Sequence, residues 1–253
     1  MWARARRRVM WTCGELLVTL GTVLALLVVH QLWWTNHQAE QGAQREVRAL
    51  EREWADPGSP ESGSPSADST NSSNPPGSSG SSGTARQDSG TTRATNSRSS
   101  TPSWSQAYAI LRIPRLGLRV PVAEGISKSR VLNKGYVGHY PGTQQPGQAG
   151  NFALAGHRNT HGEPFRYINR LRRGDAVQVE TADAVYSYTV DRTLAQTTAR
   201  DDGVIRAVPR STVRPAYGYR APGYYLTLTT CTPEYTSRYR LVVWGKLTSM
   251  RPK

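Results

Sequence analysis

The stretch Tyr224–Leu247, YYLTLTTCTPEYTSRYRLVVWGKL, reads as two β-strands joined by a short connection, because β-branched and aromatic residues fill both halves and Pro233 separates them. Strand side chains alternate between faces, so Leu226 and Leu228 share one face while Thr227, Thr229 and Cys231 share the other. In the second half Tyr239, Leu241 and Val243 lie on one face, and Arg238, Arg240, Val242 and Trp244 on the opposite one. If TPEYTSRY turns the chain back, Cys231 ends one strand and Arg240 starts its neighbour. A thiol and a guanidinium then meet at one rim of a sheet.

The same texture extends back to Ala107. YAILRIP, LGLRVPV, NFALAGH, DAVQVET and AVYSYTVDRTLAQ are short alternating runs broken by Gly and Pro, and Tyr136–Gly138 supplies one further short strand. Only SKSRVLNKG and EPFRYINRLRRG read as helical, each for about two turns. This many strands within 107–253 predicts one all-β barrel or sandwich.

The preceding half of the chain builds no core of this kind. Fifty residues, 57–106, are dominated by Ser, Gly, Pro and Thr, so burial there cannot offset the entropy of ordering, and a disordered linker is expected. As a flexible coil such a segment spans roughly 40 Å. Before it, residues 16–34 form a nearly uncharged apolar run, enough for about 30 Å of hydrocarbon as a transmembrane helix. Residues 1–15 carry Arg4, Arg6, Arg7 and Arg8, which places the N-terminus in the cytoplasm and the rest of the chain outside, with Trp33 and Trp34 as an interfacial belt. A cleaved secretory signal shares the basic start and apolar core, but HQLWW is a poor cleavage site. Residues 35–56 suggest a short charged helix, or a solvated spacer.

With Cys13 at the membrane and Cys231 outside, the two thiols cannot pair, and Cys231 is expected to be reactive or intermolecular. Residues 107–253 hold 22 Lys+Arg against 9 Asp+Glu, a net of +13. Outside the membrane, anionic headgroups or wall polymers fit that charge; nucleic acid is not expected as a partner.

A cysteine nucleophile needs a proton partner and a group that holds the oxyanion. Of His139, His157 and His161, His157 is best placed, at the strand-end corner of NFALAGH; the other two read as surface or structural. One thiolate and three scattered histidines show no zinc spacing, and Asp201–Asp202 is too little for calcium, so neither metal nor cofactor is expected. Taken singly, each residue has a plainer reading: a buried small apolar thiol, a hydrogen-bonded loop histidine, a solvated arginine.

In combination, TLTTCTPEYTSRYRLVVWGKL resembles the active-site strand pair of the sortases, in which a Leu-x-Thr-Cys strand end is followed about nine residues later by an arginine. NFALAGHR resembles the family's histidine segment, and LRIPRLGLRVPVAEG its opening strands. GHYPGT and the second Thr of TLTTC are most similar to class E sortases of high-GC Gram-positive bacteria, with class C or D as the alternative. The resemblance covers nearly all of 107–253 and implies an eight-stranded β-barrel.

It also implies roles: Cys231 as nucleophile, His157 as general acid/base, Arg240 as the oxyanion and substrate group, and Thr230 as an orienting neighbour. Arg238, two residues earlier on the same face, is the rival to Arg240. Tyr140 is the candidate for setting preference between Ala and Pro in an LPXTG-like, class E LAXTG-like, sorting motif, against a plain packing role. The implied reaction joins surface proteins bearing such a C-terminal signal to a peptidoglycan-precursor amine, at the outer side of the lipid bilayer. An L,D-transpeptidase fits less well, because 74 positions separate His157 from Cys231 and no Ser-x-Gly-Cys motif is present. A non-catalytic wall- or lipid-binding module would explain the charge alone.

Overall fold

The computed structural model describes residues 2–56 and 102–253. The expected linker lies outside the described residues as far as 101; Trp104 then bridges to Glu124 at the entry to the barrel.

Eight strands, β1 (Ala107–Ile113), β2 (Leu118–Glu124), β3 (Val137–His139), β4 (Gly150–Ala155), β5 (Ala176–Glu180), β6 (Ala184–Thr198), β7 (Tyr224–Thr232) and β8 (Tyr239–Pro252), close a barrel in the order β1-β2-β3-β4-β7-β8-β6-β5. The β2–β3 and β4–β7 pairs are parallel and the others antiparallel. Alternation sorts the faces as expected: Leu226, Leu228, Leu241 and Val243 enter the barrel core with Leu111, Val122, Phe152 and Leu154. Val242 and Trp244 face outward and build a second cluster with Leu194, Val204, Tyr219 and Tyr225 under the β6–β7 connection. The two segments expected to be two-turn helices are single 3₁₀ turns, Leu132–Lys134 and Ile168–Arg170. Gly135, at positive φ, ends the first turn, and the extended backbone of Leu171 ends the second.

One helix, α1 (Trp2–Ala55), carries both the apolar run and the charged segment after it. Leu16–Val29 are exposed along the apolar part, long and apolar enough to cross a membrane. The charged part is not a solvated spacer. Ala39, Ala43, Val47 and Leu50 recur at three- and four-residue spacing, forming one helical face. That face is buried against Ile110, Ala123, Val131 and Tyr136 on the outside of β1–β3. The helix approaches closely because two glycines lack side chains: a Cβ on Gly135 would stand 2.8 Å from the Ala39 carbonyl oxygen, and one on Gly162 3.2 Å from the Glu40 nitrogen. Asn36 donates to Glu163 (2.9 Å), Gln44 to the Arg119 carbonyl (3.0 Å), and Glu51 pairs with Arg112 (3.1 Å) and Arg119.

Candidate active site

Cys231 and Arg240 are direct cross-strand partners in the β7–β8 ladder. Cys231 is a free, half-buried thiol on the outward face of β7, in line with Thr229 and Thr227. The guanidinium of Arg240 donates from Nη1 to the carbonyls of Ser237 (2.8 Å) and Tyr239 (3.0 Å), so it is folded back on its own turn. Arg238 lies before the start of β8, exposed, with its guanidinium over the Tyr239 ring at 5.1 Å. Register therefore favours Arg240 over Arg238 as the thiol's neighbour.

His157 reaches the same rim from the other side. In the parallel β4–β7 pair Ala155 stands opposite Thr229, and two further residues along each chain bring His157 to the level of Cys231. The corner needs Gly156, where a Cβ would come within 2.7 Å of the Phe165 ring. The Thr230 hydroxyl donates to the Gly156 carbonyl (2.8 Å) and is buried, so it fixes the histidine corner rather than facing outward beside the thiol.

His157 Nε2 donates to Asn133 Oδ1 (2.9 Å), which leaves the lone pair on Nδ1. Its ring stacks on His161 at 5.4 Å. Burial, then the neighbouring His161 and Lys128 charges, push its pKa down to about 4, so the imidazole is neutral near pH 7. His161, expected to be a surface or structural residue, thus touches the candidate base. His139 is structural: fully buried, it pairs through Nδ1 with Glu124 (2.7 Å), and its Nε2 meets Thr143 Oγ1 (2.8 Å).

Arg158 was not singled out by sequence, yet it is buried and donates from Nη1 to the Cys231 carbonyl (3.1 Å) and to Thr232 Oγ1 (2.9 Å). Its Nε is buried without a hydrogen-bond partner. A fixed cation therefore grips the backbone that carries the thiol. Arg158 and Asn133 had no recognisable signal, because one is a basic residue among 22 in the domain and the other a loop amide 24 residues before its partner.

Tyr140, just past β3, donates to or accepts from Thr229 Oγ1 at 2.9 Å, two residues before Cys231 on the same face. The turn between β7 and β8 is tied down by Arg166, which contacts Glu163, Tyr235 Oη (3.2 Å) and Glu234 (3.6 Å). On the other flank Asp201 accepts from Thr197 (2.6 Å), the Thr212 nitrogen (2.8 Å) and Ser211, fastening the β6–β7 connection. Burial alone would raise its pKa, but these hydrogen bonds outweigh that and hold the carboxyl below its ordinary value. Asp201 is thereby committed to the loop. Among the described residues no group of three or more His, Cys, Asp or Glu is placed to hold a metal ion.

Comparison with known proteins agrees with this fold. A family model described as the sortase domain matches residues 111–248. Sortase SrtE1 of Streptomyces coelicolor is 40% identical over 249 residues, 95% of this chain; the chain spans only 57% of that relative's length. Sortase SrtE2 of the same organism is 32% identical over 239 residues, covering 92% of this chain and 80% of that protein. Among solved structures, sortase E1 of Streptomyces coelicolor with a tripeptide in the active site is 49% identical, covers 60% of this chain and 94% of that one, and gives a TM-score of 0.56. Sortase E of Streptomyces avermitilis is 40% identical, with 59% and 93% coverage and a TM-score of 0.52. A closed eight-stranded barrel, a cysteine and an arginine paired across its last two strands, and a family match over more than half the sequence lead to one assignment: the chain belongs to the sortase family and resembles its class E members most in detail.

Proposed function

We propose that the protein is a membrane-anchored cysteine transpeptidase acting on exported proteins with an LPXTG-like, LAXTG-type sorting motif. The observation that carries this reading is the convergence of Cys231, Arg240 and His157 on one barrel rim from three strand ends. As Sγ attacks the Thr carbonyl carbon, its proton passes to Nδ1 of His157, and Arg240, released from its own turn, donates to the oxyanion. The Thr–Gly C–N bond breaks, and His157 returns the proton to the departing amine. The thioester then meets an amine of a peptidoglycan precursor. His157 takes its proton, the new amide forms, and Sγ leaves and is reprotonated. One amide is lost and one is made, so the exchange is close to balanced.

Substrate and acceptor reach Cys231 along the outward faces of β4 and β7, between the β6–β7 and β7–β8 connections, with Tyr140 beside the position that distinguishes Ala from Pro. The apolar part of α1 serves as the anchor, with the N-terminus cytoplasmic and the barrel outside. The test is mass spectrometry of the full chain with paired Leu-Ala-x-Thr-Gly and Leu-Pro-x-Thr-Gly peptides and a glycine-type amine. A thioester adduct on Cys231 together with a ligated product is expected, favouring the Ala peptide. A folded protein that yields neither would return the weight to a binding module.

A further inference from the structure

Because α1 is unbroken, the distance from its interfacial tryptophans to the active site is set by helix geometry. Trp33 and Trp34 are exposed, and five residues on, about 7.5 Å along the axis, Ala39 lies against Gly135. Gly135 lies two residues after Asn133, the hydrogen-bond partner of His157. Thr35, Gln38 and Ala39 line a cleft with Asn133, Lys134 and His161. The polar headgroup layer of a bilayer is itself about 5–7 Å deep on each side. The far end of the docked helix diverges from it: Trp54, about 30 Å from Trp34 along the axis, sits under Lys253 at the end of β8.

The connection between β2 and β3 is suited to that layer. GISKSRVLNKGY, residues 125–136, has three cations and no acid. Lys128, Arg130 and Lys134 are all exposed and none enters an ion pair among the described residues, while Ile126 presents an exposed apolar side chain beside them. Exposed basic groups flanking an apolar tip match anionic headgroups over an acyl boundary.

We propose that the β2–β3 connection is a lipid-contact surface, seated in the anionic headgroup layer beside the catalytic histidine, so that the thiol works at the membrane surface itself. The inference rests on reading α1 as a membrane anchor and adds which face of the barrel meets the lipid. Substrates still tethered in the same bilayer then approach Cys231 laterally.

The test uses the full chain in a Cys13→Ser/Cys231→Ser background, reconstituted in vesicles of phosphatidylcholine with or without phosphatidylglycerol. A fluorophore is placed at Ser129→Cys or, as the distal control, at Ser249→Cys, about 30 Å along β8 from Arg240. Headgroup-labelled quencher lipid is expected to quench position 129 and spare 249. Quenching at 129 should rise with phosphatidylglycerol and fall back when Lys128→Gln and Arg130→Gln are added. Equal quenching at both positions, or no dependence on anionic lipid, overturns the proposal. Failure of the chain to float with the vesicles overturns the anchor reading and this inference together, whereas flotation with position 129 unquenched overturns this inference alone.

Discussion

Arg240 stands directly across the β7–β8 ladder from Cys231, yet its guanidinium is spent on the carbonyls of Ser237 and Tyr239. Both bonds are local and the side chain is half-exposed, so releasing it costs little when an oxyanion competes. Arg240→Ala is expected to lower kcat by about 10²–10³, as loss of one oxyanion donor does elsewhere. Arg240→Lys should recover only part, since an ammonium cannot reproduce the fork. Arg238→Ala, at the rival position, should leave kcat within a factor of a few; a larger loss there than at Arg240 would reverse the assignment.

Arg158→Met removes the bonds to the Cys231 carbonyl and Thr232, leaving two part-buried acceptors without this donor. A stability loss of about 1–3 kcal/mol is expected in denaturant unfolding. A positioning role predicts more: kcat should fall with KM nearly unchanged, and the alkylation rate of Cys231 should drop even where the protein remains fully folded.

As the proposed general base, His157 should set the acid side of the pH profile. Because the pKa of His157 is about 4, its base form survives well below the ordinary histidine range. The acid limb of kcat/KM is expected near pH 4, and Lys128→Gln should move it upward by removing one repelling charge. Stability runs the same way. Between about pH 6.5 and 4 the unfolded chain binds the protons that folded His157 refuses, so unfolding free energy falls as pH falls through that window. His161, also lowered by burial, adds to the slope. Urea midpoints measured from pH 7 to 4 check this, with His157→Gln flattening the decline.

Tyr140→Phe deletes one hydrogen bond, to Thr229, at a cost of about 0.5–1.5 kcal/mol. If Tyr140 sets motif preference, the ratio of kcat/KM for Ala- and Pro-containing peptides should shift in Tyr140→Phe and further in Tyr140→Ala. An unmoved ratio reduces Tyr140 to packing.

Leu50→Ala thins the interface between α1 and the outer face of β1–β2. Loss of a buried leucine of this kind costs about 2–5 kcal/mol where the site cannot collapse. Hydrogen exchange should show it as faster opening of Ala43–Leu50 while β7 and β8 keep their protection.

The barrel was legible in the sequence because its signals are local. Alternation in YYLTLTTC and RYRLVVWGKL sorted inward from outward side chains, and the register of Cys231 with Arg240 followed from one turn length. What escaped was whatever depends on parts distant along the chain. Asn133 is an unremarkable loop amide until β3 and β4 bring it to His157, and Arg158 points toward β7 only because Gly156 lets the corner fold tightly over Phe165. The docking of α1 was hidden for a related reason. Ala39, Ala43, Val47 and Leu50 are thinly spread among charged residues, and the glycines that receive the helix lie about a hundred residues away in the sequence.

The docked helix also changes what the Ser/Gly-rich segment has to do. Asp56 closes the last turn of α1 and Trp104 bridges to β2, so residues 57–101 leave and rejoin one compact unit. Direct packing of α1 on β1–β3 already joins the helix to the barrel, so that join does not depend on the length of the segment between Asp56 and Pro102. Doubling or halving such a loop changes its closure free energy by only about 0.6 kcal/mol. The segment can therefore change length at little thermodynamic cost while the packing of α1 on the barrel is kept.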